Sequence, residues 1–286
     1  MPLESIDRLM KNAQRQGYAV GYFESWSLES VQGVIDAAEQ TRSPMIIGFN
    51  GEWLADRAGA SFEELRLYAA LGRSAAEQAK VPVGFIFNEC PNDAWVEQAI
   101  GAGFNLVMPA DPEAPLEDYT RRVKRLTELA HARGVAVEAD IEDDELDAKS
   151  YAESAAKFVQ ATGVDLLAVS VGNEEIKLQG RAPLDLARLE TVHQRVGIPM
   201  VLHGGTGIED DSIKDAIKLG VKKINYGTYM KQKYLQVIRK ALSGNEPNPH
   251  ALLGNGSDTD LIVVGRKIVR DAVLERIELL GCCGKA

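Results

Sequence analysis

Two short runs carry the residues best suited to chemistry. The first, Leu202-His203-Gly204-Gly205-Thr206-Gly207-Ile208, ends an apolar segment and leads through Glu209 into a helical stretch. Its glycines let the backbone turn tightly and approach a ligand closely, and the N–H groups of a helix start favour an anion such as phosphate. The second, Asn225-Tyr226-Gly227-Thr228, ends the next apolar segment. Glycines that only make turns are the plainer alternative for either run; two such runs on successive loops favour one shared anion site.

The elements that must position these runs follow from the pattern around them. Short apolar, β-branched segments recur at 18–23, 45–49, 83–87, 106–109, 135–139, 166–171, 200–203 and 223–226. Between them lie stretches with helical spacing: Leu28, Val31, Ile35 and Ala38 form one apolar stripe, and Tyr119, Val123, Leu126 and Ala130 another. Strand-helix alternation implies a parallel sheet, near-continuous apolar strands imply burial on both faces, and eight units close a (β/α)8 TIM barrel. We expect an α/β protein with a single domain over 1–286, its outer ring completed by 213–219 and 229–242, and a C-terminal helical extension over 261–280. The run 245–250, rich in Pro and Asn, reads as the loop before that extension. In such a barrel the loops after the seventh and eighth strands are the usual phosphate site.

Composition narrows the partners. The chain has 286 residues, 45% hydrophobic and 26% charged, the balance of an ordinary domain with a substantial core. Forty-two acidic against 32 basic side chains give a net charge of -10, which argues against nucleic acid or an anionic membrane surface as partner. The first sixteen residues carry charges at Glu4, Asp7, Arg8, Lys11 and Arg15 and no signal-peptide core, and no apolar run is long enough to span a bilayer. The expected location is the cytoplasm. Three cysteines, two of them adjacent at 282 and 283, form neither a disulfide framework nor a zinc-ligand spacing and read as plain thiols.

At this point the chain resembles a family, the class II ketose-bisphosphate aldolases. Matching landmarks run in order along nearly all of it: Tyr18-Ala19-Val20-Gly21-Tyr22-Phe23, Thr41-Arg42-Ser43-Pro44, Gly101-Ala102-Gly103-Phe104, Val137-Glu138-Ala139, Thr162-Gly163-Val164-Asp165, Leu202 to Ile208, and Lys223-Ile224-Asn225. The resemblance implies zinc-assisted cleavage or formation of a carbon-carbon bond in a sugar phosphate, by a homodimer or homotetramer. It also implies phosphate contacts from Gly204, Gly205, Thr206, Asn225 and Thr228, with Gly172 opening the matching loop after the sixth strand.

The departures fall on the chemistry. The family's His-x-Asp-His after the third strand matches Ile86-Phe87-Asn88-Glu89, so its proton-carrying Asp is Asn88 here and a zinc His is Glu89. Its Gly-Thr-x-His-Gly matches Gly172-Asn173-Glu174-Glu175-Ile176, so a second zinc His is Glu175, with Glu174 as a rival. Only His203 survives, and Asp140 stands where the family has an acidic residue after the fifth strand. An amide cannot shuttle protons, so Asn88 is left to hydrogen-bond a substrate hydroxyl or carbonyl. Glu89, Glu175, His203 and Asp140 would form an oxygen-rich site suiting Mn2+, Mg2+ or Fe2+ better than Zn2+. Glu142, in the acidic run 140–145, is the candidate general base. The family's lysine after the sixth strand is Gln179 and its Asp after Asn225 is Gly227, which leaves Arg181 or Lys177 to supply positive charge for the phosphate.

The expected function is a divalent-metal-dependent lyase acting on a ketose or keto acid that carries phosphate. Two readings stay beside it: a sugar phosphate isomerase or epimerase using the same chemistry, and a metal-free enzyme or non-catalytic sugar-phosphate-binding protein.

Overall fold

The apolar segments form strands because β-branched and aromatic side chains suit a pleated surface that is covered on both faces. The computed structural model describes residues 3–111, 113–141, 146–174, 178–244 and 246–286. Its strands are β1 Val20–Glu24, β2 Met45–Asn50, β3 Val83–Cys90, β4 Leu106–Pro109, β5 Ala136–Ile141, β6 Leu166–Val169, β7 Met200–Leu202 and β8 Val221–Tyr226. All pair in parallel and in chain order, and β8 returns to β1, so the sheet closes as a TIM barrel. The expected fold is therefore the observed one. β6 ends at Val169, two residues short of the predicted segment, because the N–H of Ser170 turns away to donate to the Tyr151 hydroxyl at 2.9 Å.

The helices are α1 Ile6–Gln16, α2 Leu28–Thr41, α3 Gly51–Ala55, α4 Phe62–Gln78, α5 Asp93–Ala102, α6 Leu116–His131, α7 Ala148–Thr162, α8 Leu186–His193, α9 Asp210–Lys218, α10 Thr228–Ala241 and α11 Leu261–Ile277. Helix α2 shows why they form and where they stop. Ser27 and Ser30 make a reciprocal capping box at its start, and Arg42 takes a left-handed conformation at its end. Its buried stripe includes Val31, Val34, Ala37 and Ala38, and each larger aliphatic side chain so buried stabilises by about 1.5–3 kcal/mol.

Helix α1 closes the N-terminal end of the barrel. It buries Ile6, Leu9, Met10 and Ala13, and Ile6 fills the space that a side chain at Gly84, near the start of β3, would need. The C-terminal extension, α11, lies on α2: a Cβ on Gly33 would stand 2.6 Å from the carbonyl oxygen of Arg266, and that arginine grips Asp36 through two hydrogen bonds of 2.6 and 2.7 Å. Among the described residues no helix is long and apolar enough to cross a membrane. Cys90 and Cys282 are buried free thiols, and Cys283 is exposed.

With both ends of the outer layer tied down, all eight strands present their C-terminal tips on one rim, where barrel enzymes place their chemistry. Packing beneath the rim is close. Gly48 on β2 shows how close, since an added Cβ would lie 2.0 Å from the carbonyl oxygen of Ile86 on β3. Gly48→Ala is expected to lower stability by about 1–3 kcal/mol through overpacking, read as a fall in the urea midpoint at unchanged slope.

Candidate active site

The tip of β3 is where the backbone departs from ideal geometry. Glu89 has φ +53°, a left-handed conformation uncommon for a residue with a side chain, and the pairing of β3 with β4 shifts register between Phe87 and Cys90. A bulge of this kind re-aims a side chain at a strand end, and its strain is of order 1–3 kcal/mol. The re-aimed carboxylate is held from two sides. Its Oε2 accepts from Nδ2 of Asn50 at 2.7 Å, while the other end of that amide accepts from the N–H of Trp53 and caps α3. Its Oε1 stands 3.2 Å from Nδ1 of His203.

His203, just past β7 and 5% exposed, has a carboxylate at each ring nitrogen: Nε2 lies 3.2 Å from Oε1 of Glu138. Glu138 comes from β5 and pairs in turn with Lys223 of β8, whose Nζ lies 2.8 and 2.9 Å from the two carboxylate oxygens and donates to Oδ1 of Asn225 at 2.7 Å. Both members of this pair have zero exposure. Burial works against each charge, yet Lys223 and His203 together hold the Glu138 carboxyl below the usual carboxylate range. His203 does the same for Glu89, outweighing burial, so Glu89 is a weak base. Burial pushes the Lys223 ammonium down against the pull of Glu138.

Above the Glu138 and Lys223 pair, Glu89, His203 and Asn225 line a cavity of roughly 440 Å3 whose walls include Tyr22 and Glu24 from β1, Asn50, Trp53 from α3, Asn88, Gly204, Gly227, Thr228 and Lys231. Among the described residues, three buried polar atoms in its lining lack hydrogen-bond partners: the Tyr22 hydroxyl, Oδ1 of Asn88 and Nδ2 of Asn225. Buried polar groups are otherwise almost always paired, so a hydroxyl, an acceptor and a donor left open in one wall prepare it for a polar ligand. Burial and nearby carboxylates keep the Tyr22 phenol neutral and able to donate.

The phosphate-type runs behave as their residues require. Gly204 takes φ +64°, and a Cβ on Gly205 would stand 2.8 Å from Ile224 and from Tyr226, so the loop lies flat on β8. Thr206 accepts from the N–H of Tyr229 at 3.1 Å and orders the first turn of α10. No side chain of the N-cap residue closes that helix start, which opens on the cavity through Gly227 and Thr228 and suits an anion.

Of the residues singled out by sequence, the cavity brings together Asn88, Glu89, His203, Gly204, Asn225 and Thr228. Gly205 and Thr206 support it from behind. Asp140 lies elsewhere, its Oδ1 accepting from the Tyr119 hydroxyl at 2.7 Å. Arg181 is turned to Asp210, and Gly172, at φ +85°, is a turn residue beside Pro183. Glu142, Glu175 and Lys177 lie outside the described residues. Sequence reasoning passed over Glu138 and Lys223, and Tyr22 with them, as landmarks only, and it missed Glu24, Asn50 and Lys231. A charged residue inside an apolar strand was the available signal for the first two.

Comparison with known proteins agrees with this geometry. Residues 4–285 match the family described as fructose-bisphosphate aldolase class-II. The chain belongs to the class II fructose-bisphosphate aldolases. It is 32% identical to the fructose-bisphosphate aldolase of Geobacillus stearothermophilus over 100% of this chain and 99% of that one, and 30% identical to a probable fructose-bisphosphate aldolase of Bacillus subtilis over the whole of both. The crystal structure of the YdjI aldolase from Escherichia coli K12 superposes with a TM-score of 0.84 at 32% identity, covering 99% of each chain. Class II aldolases are carbon-carbon lyases and generally depend on a divalent metal.

The residues here fit a cation in kind. A carboxylate oxygen of Glu89 and Nδ1 of His203 stand 3.2 Å apart in the lining of one cavity, with the opposite ring nitrogen fixed by Glu138, the outer-shell arrangement that orients metal-ligating histidines. Among the described residues no third His, Cys, Asp or Glu side chain joins them around one point.

The buried network carries a stability cost if broken. Lys223→Met leaves the Glu138 charge short of its main partner and is expected to cost about 3–5 kcal/mol, and Lys223→Met combined with Glu138→Gln less than the sum of the two singles. Folded Glu138 and Glu89 hold protons less readily than unfolded carboxyls, so their contribution is in place above about pH 4.3 and is lost as the pH falls through and below it. Urea unfolding of the variants and of the wild type across pH 3–7 checks both expectations.

Proposed function

We propose that this class II aldolase family member is a divalent-metal-dependent lyase that cleaves, or in reverse joins, a carbon-carbon bond of a phosphorylated ketose or keto acid. The observation that carries the reading is the set of open polar atoms on Tyr22, Asn88 and Asn225 beside the Glu89 and His203 pair, in one cavity with the start of α10. Hydroxyls and a carbonyl of a sugar supply the missing partners, and a phosphate suits the helix N-terminus.

In a retro-aldol step a base takes the proton of the hydroxyl on the carbon that becomes the aldehyde. The adjacent carbon-carbon bond breaks, its electron pair passes toward the neighbouring ketone, and a proton delivered to the carbon beside that ketone, the one that lost the bond, completes the second product. Glu89 and His203 would hold the metal, with Glu175 as the third protein ligand, and the metal when bound supplies Lewis acidity. A carboxylate-rich set favours Mn2+, Mg2+ or Fe2+ over Zn2+. Asn88 orients a hydroxyl, Tyr22 donates to a substrate oxygen, and Gly204, Asn225 and Thr228 seat the phosphate. The enzyme would work in the cytoplasm as a homodimer or homotetramer.

Purified wild type is expected to carry about one manganese, magnesium or iron per chain by elemental analysis, lost in both Glu89→Ala and His203→Ala. Glu138→Gln, which loosens the orientation of His203, should weaken metal affinity about 10–100-fold. Incubation with ketose phosphates should yield two smaller carbonyl products and stop after chelation. A single product of unchanged mass would make the enzyme an isomerase, and cleavage that survives chelation would overturn the metal.

A further inference from the structure

The reaction needs a proton carrier, and the described floor of the cavity lacks one. Asn88 is an amide, and Glu89 is committed to Asn50 and His203. Two other carboxyls line the same space, Glu52, which is exposed on α3, and Glu24, which reaches it from β1. Glu24 is the last residue of that strand and shares its inward face with Tyr22, two residues earlier. Its side chain is 13% exposed and ion-paired to Nζ of Lys231 on α10 at 2.6 Å, and that ammonium lies 4.7 Å from the centre of the Trp53 ring.

The site is built around this carboxylate. An ideal Cβ at position 227 would stand 2.3 Å from Oε2 of Glu24, so the glycine between Asn225 and Thr228 is the residue that lets the carboxylate lie beside the proposed phosphate seat. We infer that Glu24 is a catalytic residue of the lyase, the base that takes the hydroxyl proton during cleavage and the acid that returns it during condensation. The inference rests on the lyase reading above.

The proton moves from the substrate oxygen to Oε of Glu24 as that oxygen becomes the aldehyde carbonyl, and no oxidant or co-reactant is consumed. Lys231 favours the ionised form of the carboxylate and holds it in place, as a positioning residue. The charged and titratable groups set against Glu24 are Lys231 from α10, Glu89 from β3 and the Tyr22 phenol on its own strand, with Glu52 of α3 and His203 lining the same cavity. Burial, reinforced by Glu89 and opposed by Lys231, raises the Glu24 carboxyl above its ordinary range, which strengthens it as a base.

The test uses the full-length enzyme with a panel of ketohexose 1-phosphates and 1,6-bisphosphates. On whichever of these the wild type cleaves, Glu24→Gln should lower kcat about 10²–10⁴-fold, change KM by no more than about threefold, and remove the acid limb of the kcat profile. Glu24→Asp, which keeps a carboxylate, should retain that limb at intermediate kcat. Lys231→Met should move the limb to higher pH, because the ammonium that favours the ionised carboxyl is gone. Melting temperature and circular dichroism report whether each variant folds, and the Asp and Lys231 variants still decide the matter if the Gln variant does not. A Gln variant with wild-type kcat, or one whose loss lies wholly in KM with the acid limb intact, overturns the role of Glu24 and leaves the lyase standing. A wild type that cleaves nothing in the panel, with Glu24→Gln indistinguishable from it, overturns both.

Discussion

A carboxylate from β5 and an ammonium from β8, both shut off from water, meet inside the barrel, and the geometry of the rim descends from that meeting. Removing either partner would strand a charge in a medium where its solvation cannot be replaced. Glu138 and Lys223 are therefore constrained to stay together. Through one end of the pair His203 is aligned by Glu138, and His203 aligns Glu89; through the other, Lys223 fixes the Asn225 amide. Glu89 meets Asn50, which also caps α3 and so sets Trp53 over the cavity mouth. A single buried pair thus orders an unbroken series of contacts from the barrel interior to the outer lip of the site.

The fold was largely legible before any coordinates because its signals are local. Strand runs bounded by glycine or proline and stripes at helical spacing each report on a few neighbouring residues, and a count of eight closes only one common architecture. Helix α1 was not read from the sequence, although its stripe, Ile6, Leu9, Met10 and Ala13, has the three- and four-residue spacing of one helix face set among charged residues. What holds it is the open end of the barrel, a tertiary partner with no trace in those eleven residues.

The site was legible only in part, for the same physical reason. The two glycine runs announce themselves because a turn and a helix start need specific residues at adjacent positions. The charged network does not: Glu138 and Lys223 are 85 residues apart, and Glu24 and Lys231 are separated by 207. Nothing in the spacing of either pair marks it. Asp140 shows the converse error. It matches the family's acidic residue after the fifth strand and was expected among the metal ligands, but its Oδ1 accepts from the Tyr119 hydroxyl and it does not line the cavity with Glu89 and His203.

Gly227 ties the local and long-range levels together. At the N-cap of α10 a Ser, Thr, Asn or Asp would satisfy a free N–H, and an Ala there would cost about 1 kcal/mol, but a glycine costs only a few tenths. The helix therefore loses little by having no side chain at its start. Two things are gained in exchange: no side chain of residue 227 covers the start of the helix, where Thr206 holds only the N–H of Tyr229, and the space above it admits a carboxylate arriving from β1. An Asp or Asn at 227 would compete for both. The pairing of a bare helix start with Glu24 is thus one steric choice with two electrostatic consequences, positive potential from the backbone and a carboxylate from a strand on the far side of the closure between β8 and β1.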